Sequence, residues 1–158
     1  MDIDKRPVTD IFITYDVALL TVDNLPNDMS LIAEIFSSIA SKNINVDIIS
    51  LAPPYRDLIN LSFTISNNYL VDVIELLNSF KSRVPKLLVE VDADNTKLTV
   101  SGTNMNDTPG VAANLFNLLA CNEIEVKMVT TSDTDISYVI YSKDVDKSKE
   151  AIMKLFKL

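Results

Sequence analysis

Few residues in this chain could do chemistry, and their types narrow the options at once. There is no histidine, one cysteine (Cys121) and only two glycines, Gly102 and Gly110. Without histidine the chain lacks the commonest general base and the commonest metal ligand, so neither a metal site nor a catalytic set is expected. Two glycines cannot build a glycine-rich phosphate loop. The acidic residues are spread over faces and turns rather than paired, which gives little support to an enzyme site. Cys121 stands in an apolar helical pattern and reads as a buried core thiol with no internal disulfide partner. One segment is better suited to a ligand, Thr108-Pro109-Gly110-Val111-Ala112. Thr108 can cap a helix, and Pro109 fits a first turn because no amide proton is needed there. Gly110 lets a ligand or a neighbouring backbone approach without a Cβ in the way. First-turn amides at Val111 and Ala112, with the helix dipole behind them, suit an amino acid's α-carboxylate. Its ammonium could be met by backbone carbonyls or by Asp107. Taken alone, the same residues also make an ordinary helix start.

The elements that would position this segment come from a repeat. Leu20-Thr21-Val22 recurs as Leu98-Thr99-Val100, and Ala33, Phe36, Ala40, Ile44 and Val46 recur as Ala113, Phe116, Ala120, Ile124 and Val126. In the first unit, alternation predicts a strand over 17–22, and apolar spacing predicts a helix over 31–40 with Asp28 or Ser30 as its cap. A β-branched strand over 44–51 ends at Pro53-Pro54, and a strand follows over 60–65. A helix over 70–80 turns Asp72, Glu75 and Asn78 to water, and a strand over 87–91 closes the unit. The second unit repeats the order with 97–101, 109–121, 124–130, 136–141 and 145–156, and stops without a closing strand. This is α+β: two ferredoxin-like units, each an antiparallel four-stranded sheet with two helices on one face. The alternating segment 8–14 can supply the missing strand. The expected domains are therefore 16–93, inserted, and 8–15 plus 95–158.

The totals agree with two small domains and set limits on partners. A hydrophobic content of 47% in 158 residues is enough for packed cores. A net charge of −8 argues against a nucleic-acid partner, and an acidic chain gains nothing from an anionic membrane surface. The charged N-terminal ten residues lack an apolar signal region, and no apolar run reaches spanning length. A cytoplasmic chain is expected.

The segment from Leu98 through Gly102, Met105, Pro109-Gly110-Val111-Ala112 and Phe116 resembles the second ACT domain of aspartate kinases. So do Ile124-Glu125-Val126-Lys127-Met128-Val129-Thr130-Thr131-Ser132 and Asp135-Ile136-Ser137-Tyr138-Val139-Ile140. The first unit is similar to that family's first ACT domain at residues 44–49 and 61–65. The resemblance implies the family's regulatory region, which senses an amino acid and catalyses nothing. The family's Lys-Phe-Gly-Gly kinase segment is absent, so a free-standing regulatory subunit and a piece of a longer kinase both fit. It also implies an effector of the lysine or threonine class, no cofactor, a homodimer paired through ACT sheets, and a kinase catalytic chain as partner. Effector contacts are implied in the first unit at Asp28, Ser30, Asn45, Val46, Asp47 and Ser50. In the second they are implied at Asp107, Pro109, Gly110, Val111, Ala112, Glu125 and Val126. The first unit departs from the family's Asp-x-Pro-Gly, carrying Asn27-Asp28-Met29-Ser30 instead, while Asp28 and Asp47 together would favour a cationic side chain. A ligand-free association module with the same fold is the alternative.

Overall fold

The structure, a computed structural model, describes residues 5–158. Its chain divides into two compact units, one of Asp16–Asp94 and one of the described residues up to Tyr15 together with Asn95–Leu158. Two long strands contribute to both: β1 (Asp10–Pro26) and β4 (Leu88–Ser101). Each runs through two of the shorter strands that the sequence predicts, 8–14 with 17–22 and 87–91 with 97–101. The divisions fall at Asp16 and Asp94, both left-handed with φ of 56° and 59°, a conformation that aspartate tolerates better than most residues.

The unit Asp16–Asp94 adds α1 (Met29–Ser41), β2 (Ile49–Leu51), β3 (Leu58–Ser66) and α2 (Leu70–Ser79). Its strands lie in the order β2-β3-β1-β4, and β3 is antiparallel to both β1 and β2. Helix α1 buries Leu31, Ile32, Ile35 and Ile39, and α2 buries Val73, Leu76 and Leu77. These stripes meet alternate strand residues (Ala18, Leu20, Val22, Leu61, Phe63, Ile65) in one core, so both helices cover the same face of the strands. Phe36 meets Phe63 edge-on at 5.5 Å.

Strand β2 is shorter than the predicted 44–51. Thr64 accounts for this. Its carbonyl accepts from the Asp47 amide (3.0 Å), its hydroxyl accepts from the Ile48 amide (3.0 Å), and its own amide donates to the Ile48 carbonyl (3.0 Å). Two residues thus face one, and regular pairing resumes only at Ile49↔Phe63.

The other unit contains α3 (Val111–Cys121), β5 (Val126–Thr131), β6 (Asp135–Tyr141) and α4 (Val145–Phe156). Its strand order is β1-β4-β6-β5, with β6 antiparallel to β4 and β5. The N-terminal half of β1 therefore stands where a strand after α4 would close the unit. Just ahead of β1, the Thr9 amide donates to the Ser101 carbonyl at 2.8 Å, and Val8 is fully buried with Leu98, Val100, Leu115 and Ile152. Tyr138 is fully buried and its hydroxyl meets Ser148 Oγ at 2.9 Å. Burial pushes its pKa up to about 12, so it stays protonated.

Register explains the repeated Leu-Thr-Val. Leu and Val enter the core, while the threonine turns to the other face and meets a cross-strand serine, Thr21 with Ser62 (3.1 Å) and Thr99 with Ser137 (2.7 Å). Cys121 is exposed rather than buried. It lies two residues past Leu119, which turns it about 200° away from the buried stripe of Val111, Leu115 and Leu119.

Candidate functional site

The loop from Gly102 to Gly110 is a succession of turns. The Gly102 amide donates to the Thr134 carbonyl (2.9 Å), Met105 to Gly102 (3.2 Å) and Thr108 to Met105 (3.2 Å). Thr108 does not cap α3, because its hydroxyl donates to the Asn104 carbonyl at 2.8 Å. The cap is Gly110, with φ 93° and ψ 0° and no side chain to offer. Pro109 consequently stands before the cap rather than in the first turn. No described residue comes within 4 Å of a Cβ built on Gly110, so its backbone conformation, with φ 93°, demands glycine. The close approach expected there occurs at Gly102 instead, where a Cβ would sit 2.0 Å from the Pro7 carbonyl oxygen.

The result is a helix start without a side-chain cap, opening on a cleft of about 260 Å³. Met105, Asn106, Thr108, Gly110, Val111 and Ala112 line one side, and Thr131 at the end of β5, Ser132 and Asp133 in the β5–β6 turn and Ile136 in β6 line the other. Strand pairing brings the walls together. Helix α3 follows the end of β4, and Ser101 at that end pairs with Asp135 at the start of β6. The turn is set by Asp135. Its carboxylate accepts from Thr134 Oγ1 (2.7 Å) and Ser132 Oγ (3.2 Å), and Ser132 Oγ in turn accepts from the Asp135 amide (3.1 Å).

Hydrogen bonds from Ser101 and Thr134 hold the Asp135 carboxyl below its ordinary range. A depressed carboxylate contributes stability above its unfolded pKa and loses it as pH falls through the folded value. We expect this unit to lose stability below about pH 4, and Asp135→Asn to flatten that acid limb in pH-dependent melting.

Of the expected contacts, Gly110, Val111 and Ala112 line the cleft. Asp107 and Pro109 are exposed and adjacent in sequence but outside the lining, and Glu125 and Val126 at the start of β5 do not reach it. In the other unit the helix start is already occupied: Asp28 is the cap of α1, and its carboxylate accepts from the Ser30 amide at 2.9 Å. Ser30 is therefore a first-turn residue. Asn45, Asp47 and Ser50 are exposed, and Val46 packs against the core. A cleft of about 330 Å³ in that unit is bounded by Asn24, Pro26, Leu58 and residues 83–86 and includes none of them. Met105, Asn106 and the turn residues 131–133 were not anticipated as lining. The antiparallel hairpin was their one signal, because it returns the β5–β6 turn to the end of β4 from which α3 departs. Replacing Asp28 with alanine should cost about 1 kcal/mol through the lost cap, read by chemical denaturation.

The ACT domain family model matches residues 98–156, the portion that holds the cleft. An aspartokinase of Bacillus sp. (strain MGA3) is 34% identical over 90% of this chain. The chain spans about 35% of that relative's length. The crystal structure of aspartokinase alpha and beta subunits superposes with a TM-score of 0.86 and 26% identity, covering 96% of this chain and 99% of that one. The ligand-free regulatory subunit of aspartate kinase from Thermus thermophilus shares the fold, with a TM-score of 0.84 and 22% identity over 96% and 99% of the two chains. No described helix is long and apolar enough to cross a membrane. The ACT domain match thus falls on residues 98–156, and the chain as a whole is similar to about a third of the length of an aspartokinase.

Proposed function

We propose that this chain is the regulatory region of an aspartate kinase, that it senses an amino acid of the lysine or threonine class, and that its working site is the cleft at the start of α3. The observation that carries this reading is the first turn of α3, which has no side-chain cap and whose residues Val111 and Ala112 line the cleft. An α-carboxylate there would meet free amides and the positive end of the helix dipole. Asp133 on the opposite wall would receive the ammonium, with Thr108, Thr131 and Ser132 offering hydroxyls to the side chain. The contrasting start of α1, where Asp28 supplies its own carboxylate, favours a structural role for the unit Asp16–Asp94. On this reading both units are ACT domains, the first inserted into the second.

We further propose a homodimer joined through exposed strand edges. Strand β2 is exposed along its length and carries Ile49 and Leu51, an edge that must be paired or covered. A kinase catalytic chain would be the regulated partner, responding to a shift between dimer arrangements.

Isothermal titration with lysine and with threonine tests the sensor reading. Heat of binding for one of them is expected, and no binding of either at millimolar concentration defeats it. Asp133→Ala should weaken binding roughly tenfold by removing a charged hydrogen-bond partner. Asn45→Ala and Asp47→Ala should leave it unchanged, and a loss in either would move the site to the first unit.

A further inference from the structure

Both walls of the cleft are anchored to the same two residues, Ser101 and Gly102, and so is the chain's entry into β1. On one side, Gly102 starts the loop: its amide holds the Thr134 carbonyl and its carbonyl accepts from Met105. On the other, the Asp135 carboxylate accepts from Thr134 Oγ1 and Ser132 Oγ, and Asp135 itself pairs with Ser101 across β4 and β6. The N-terminal segment docks on the opposite side of the same pair. The Ser101 carbonyl accepts from the Thr9 amide (2.8 Å), with Thr9 Oγ1, shared between it (3.3 Å) and the Asp10 carboxylate (2.7 Å), as a weaker second contact, and the Pro7 carbonyl lies over Gly102 in space a Cβ would fill. Arg6 Nη1 donates to the Lys157 carbonyl at 2.8 Å, fixing the segment from the side of α4.

We propose that Asp135 is a positioning residue that ties both cleft walls to the N-terminal segment, so that filling the cleft and docking residues 6–9 are thermodynamically linked. Asp135 itself need touch no ligand. Its carboxylate holds the turn at Ser132 and Thr134, and the Thr134 carbonyl holds the Gly102 amide. Ser101, paired with Asp135, is held by the Thr9 amide, so a displacement at either end is felt at the other through residues 101 and 102. Linkage of this kind is reciprocal: a ligand that orders the walls orders the segment, and loosening the segment weakens the ligand. The coupling needs no change of fold, only a difference in how firmly Ser101 and Gly102 are held. Only the choice of ligand rests on the sensor reading above; the link between walls and segment is tested without it.

Amide hydrogen exchange resolved by residue reads this directly, with Thr9 reporting the segment, Met105 the loop and the middle of β6 reporting global opening. Asp135→Asn retains one acceptor but replaces the other with a donor. It should raise exchange at Met105 and Thr9 together by about tenfold, the loss of one charged hydrogen bond, with Asp135→Glu recovering part of it. Thr9→Val should accelerate Met105 and Gly102 from the other end. Acceleration confined to the mutated side in either variant overturns the proposal, and Thr9→Val decides alone if Asp135→Asn does not fold. Lysine and threonine serve as the probes in the ligand arm. Binding with slowed exchange at Thr9 supports the link, and binding with unchanged exchange at Thr9 overturns it while leaving the sensor reading intact. If neither amino acid binds, the sensor reading fails and the two variants still decide the link.

Discussion

Gly102→Ala is expected to cost about 3 kcal/mol or more in the unit containing Asn95–Leu158, at or above the upper end of ordinary overpacking. The reason is what the new methyl would meet. A Cβ at residue 102 would sit 2.0 Å from the Pro7 carbonyl oxygen, 2.8 Å from its carbon and 3.0 Å from the Val8 Cα, all backbone. A flexible side chain could swing aside, but a backbone segment held on both sides cannot. Val8 is fully buried and Thr9 is bonded to Ser101. Relief therefore requires the N-terminal segment to leave, exposing the core that Val8 helps to close. Chemical denaturation of the variant gives the cost, and removal of residues 1–14 supplies the control. In the truncated chain the clash has no partner, so Gly102→Ala should become nearly neutral, and the difference between the two backgrounds isolates this contact. An equal cost in both would show that the glycine is needed for some other reason. The unit Asp16–Asp94, whose core contains neither residue, should be unaffected in both backgrounds.

Much of this architecture is legible in the residues, for identifiable physical reasons. The repeated Leu-Thr-Val and the 3.6-residue apolar stripes set the number and type of elements because burial on one face dictates the period. Helix α4 begins and ends where its pattern predicts, at Val145 and Phe156. Features that depend on one atom reaching another are less legible. Thr64 looks like any strand threonine, yet its hydroxyl breaks the ladder at Ile48 and shortens β2 to three residues. The close approach expected at Gly110 occurs at Gly102, and Gly110 is required for its positive φ instead. A close approach is a property of the partner strand, and a positive φ is a property of the loop's closure, so neither is written at the glycine itself. Thr108 has the chemistry of a cap, but the turn sequence from Gly102 directs its hydroxyl to Asn104 and leaves the cap to Gly110. The far wall of the cleft, residues 131–133, could be assigned only once strand register joined Ser101 to Asp135.

The second large effect is expected at Gly110, where stability and binding should separate. Its φ of 93° lies in a region that a Cβ disfavours, so Gly110→Ala should cost about 1–2 kcal/mol. Asparagine visits positive φ more readily, so Gly110→Asn should cost less. Space is not the issue for the protein, since no described residue comes within 4 Å of the added atom. For a ligand it is, because residue 110 lines the cleft beside the first-turn amides of α3. A Cβ at residue 110 would narrow the approach to those amides in either variant, and the larger asparagine would narrow it more. On the proposed sensor reading, affinity for lysine or threonine should therefore fall about tenfold or more in both, with asparagine the weaker binder despite its better fold. Paired melting and titration measurements make the comparison. If affinity instead follows stability, recovering in Gly110→Asn, the helix start acts through folding alone. The effector's carboxylate must then be received elsewhere.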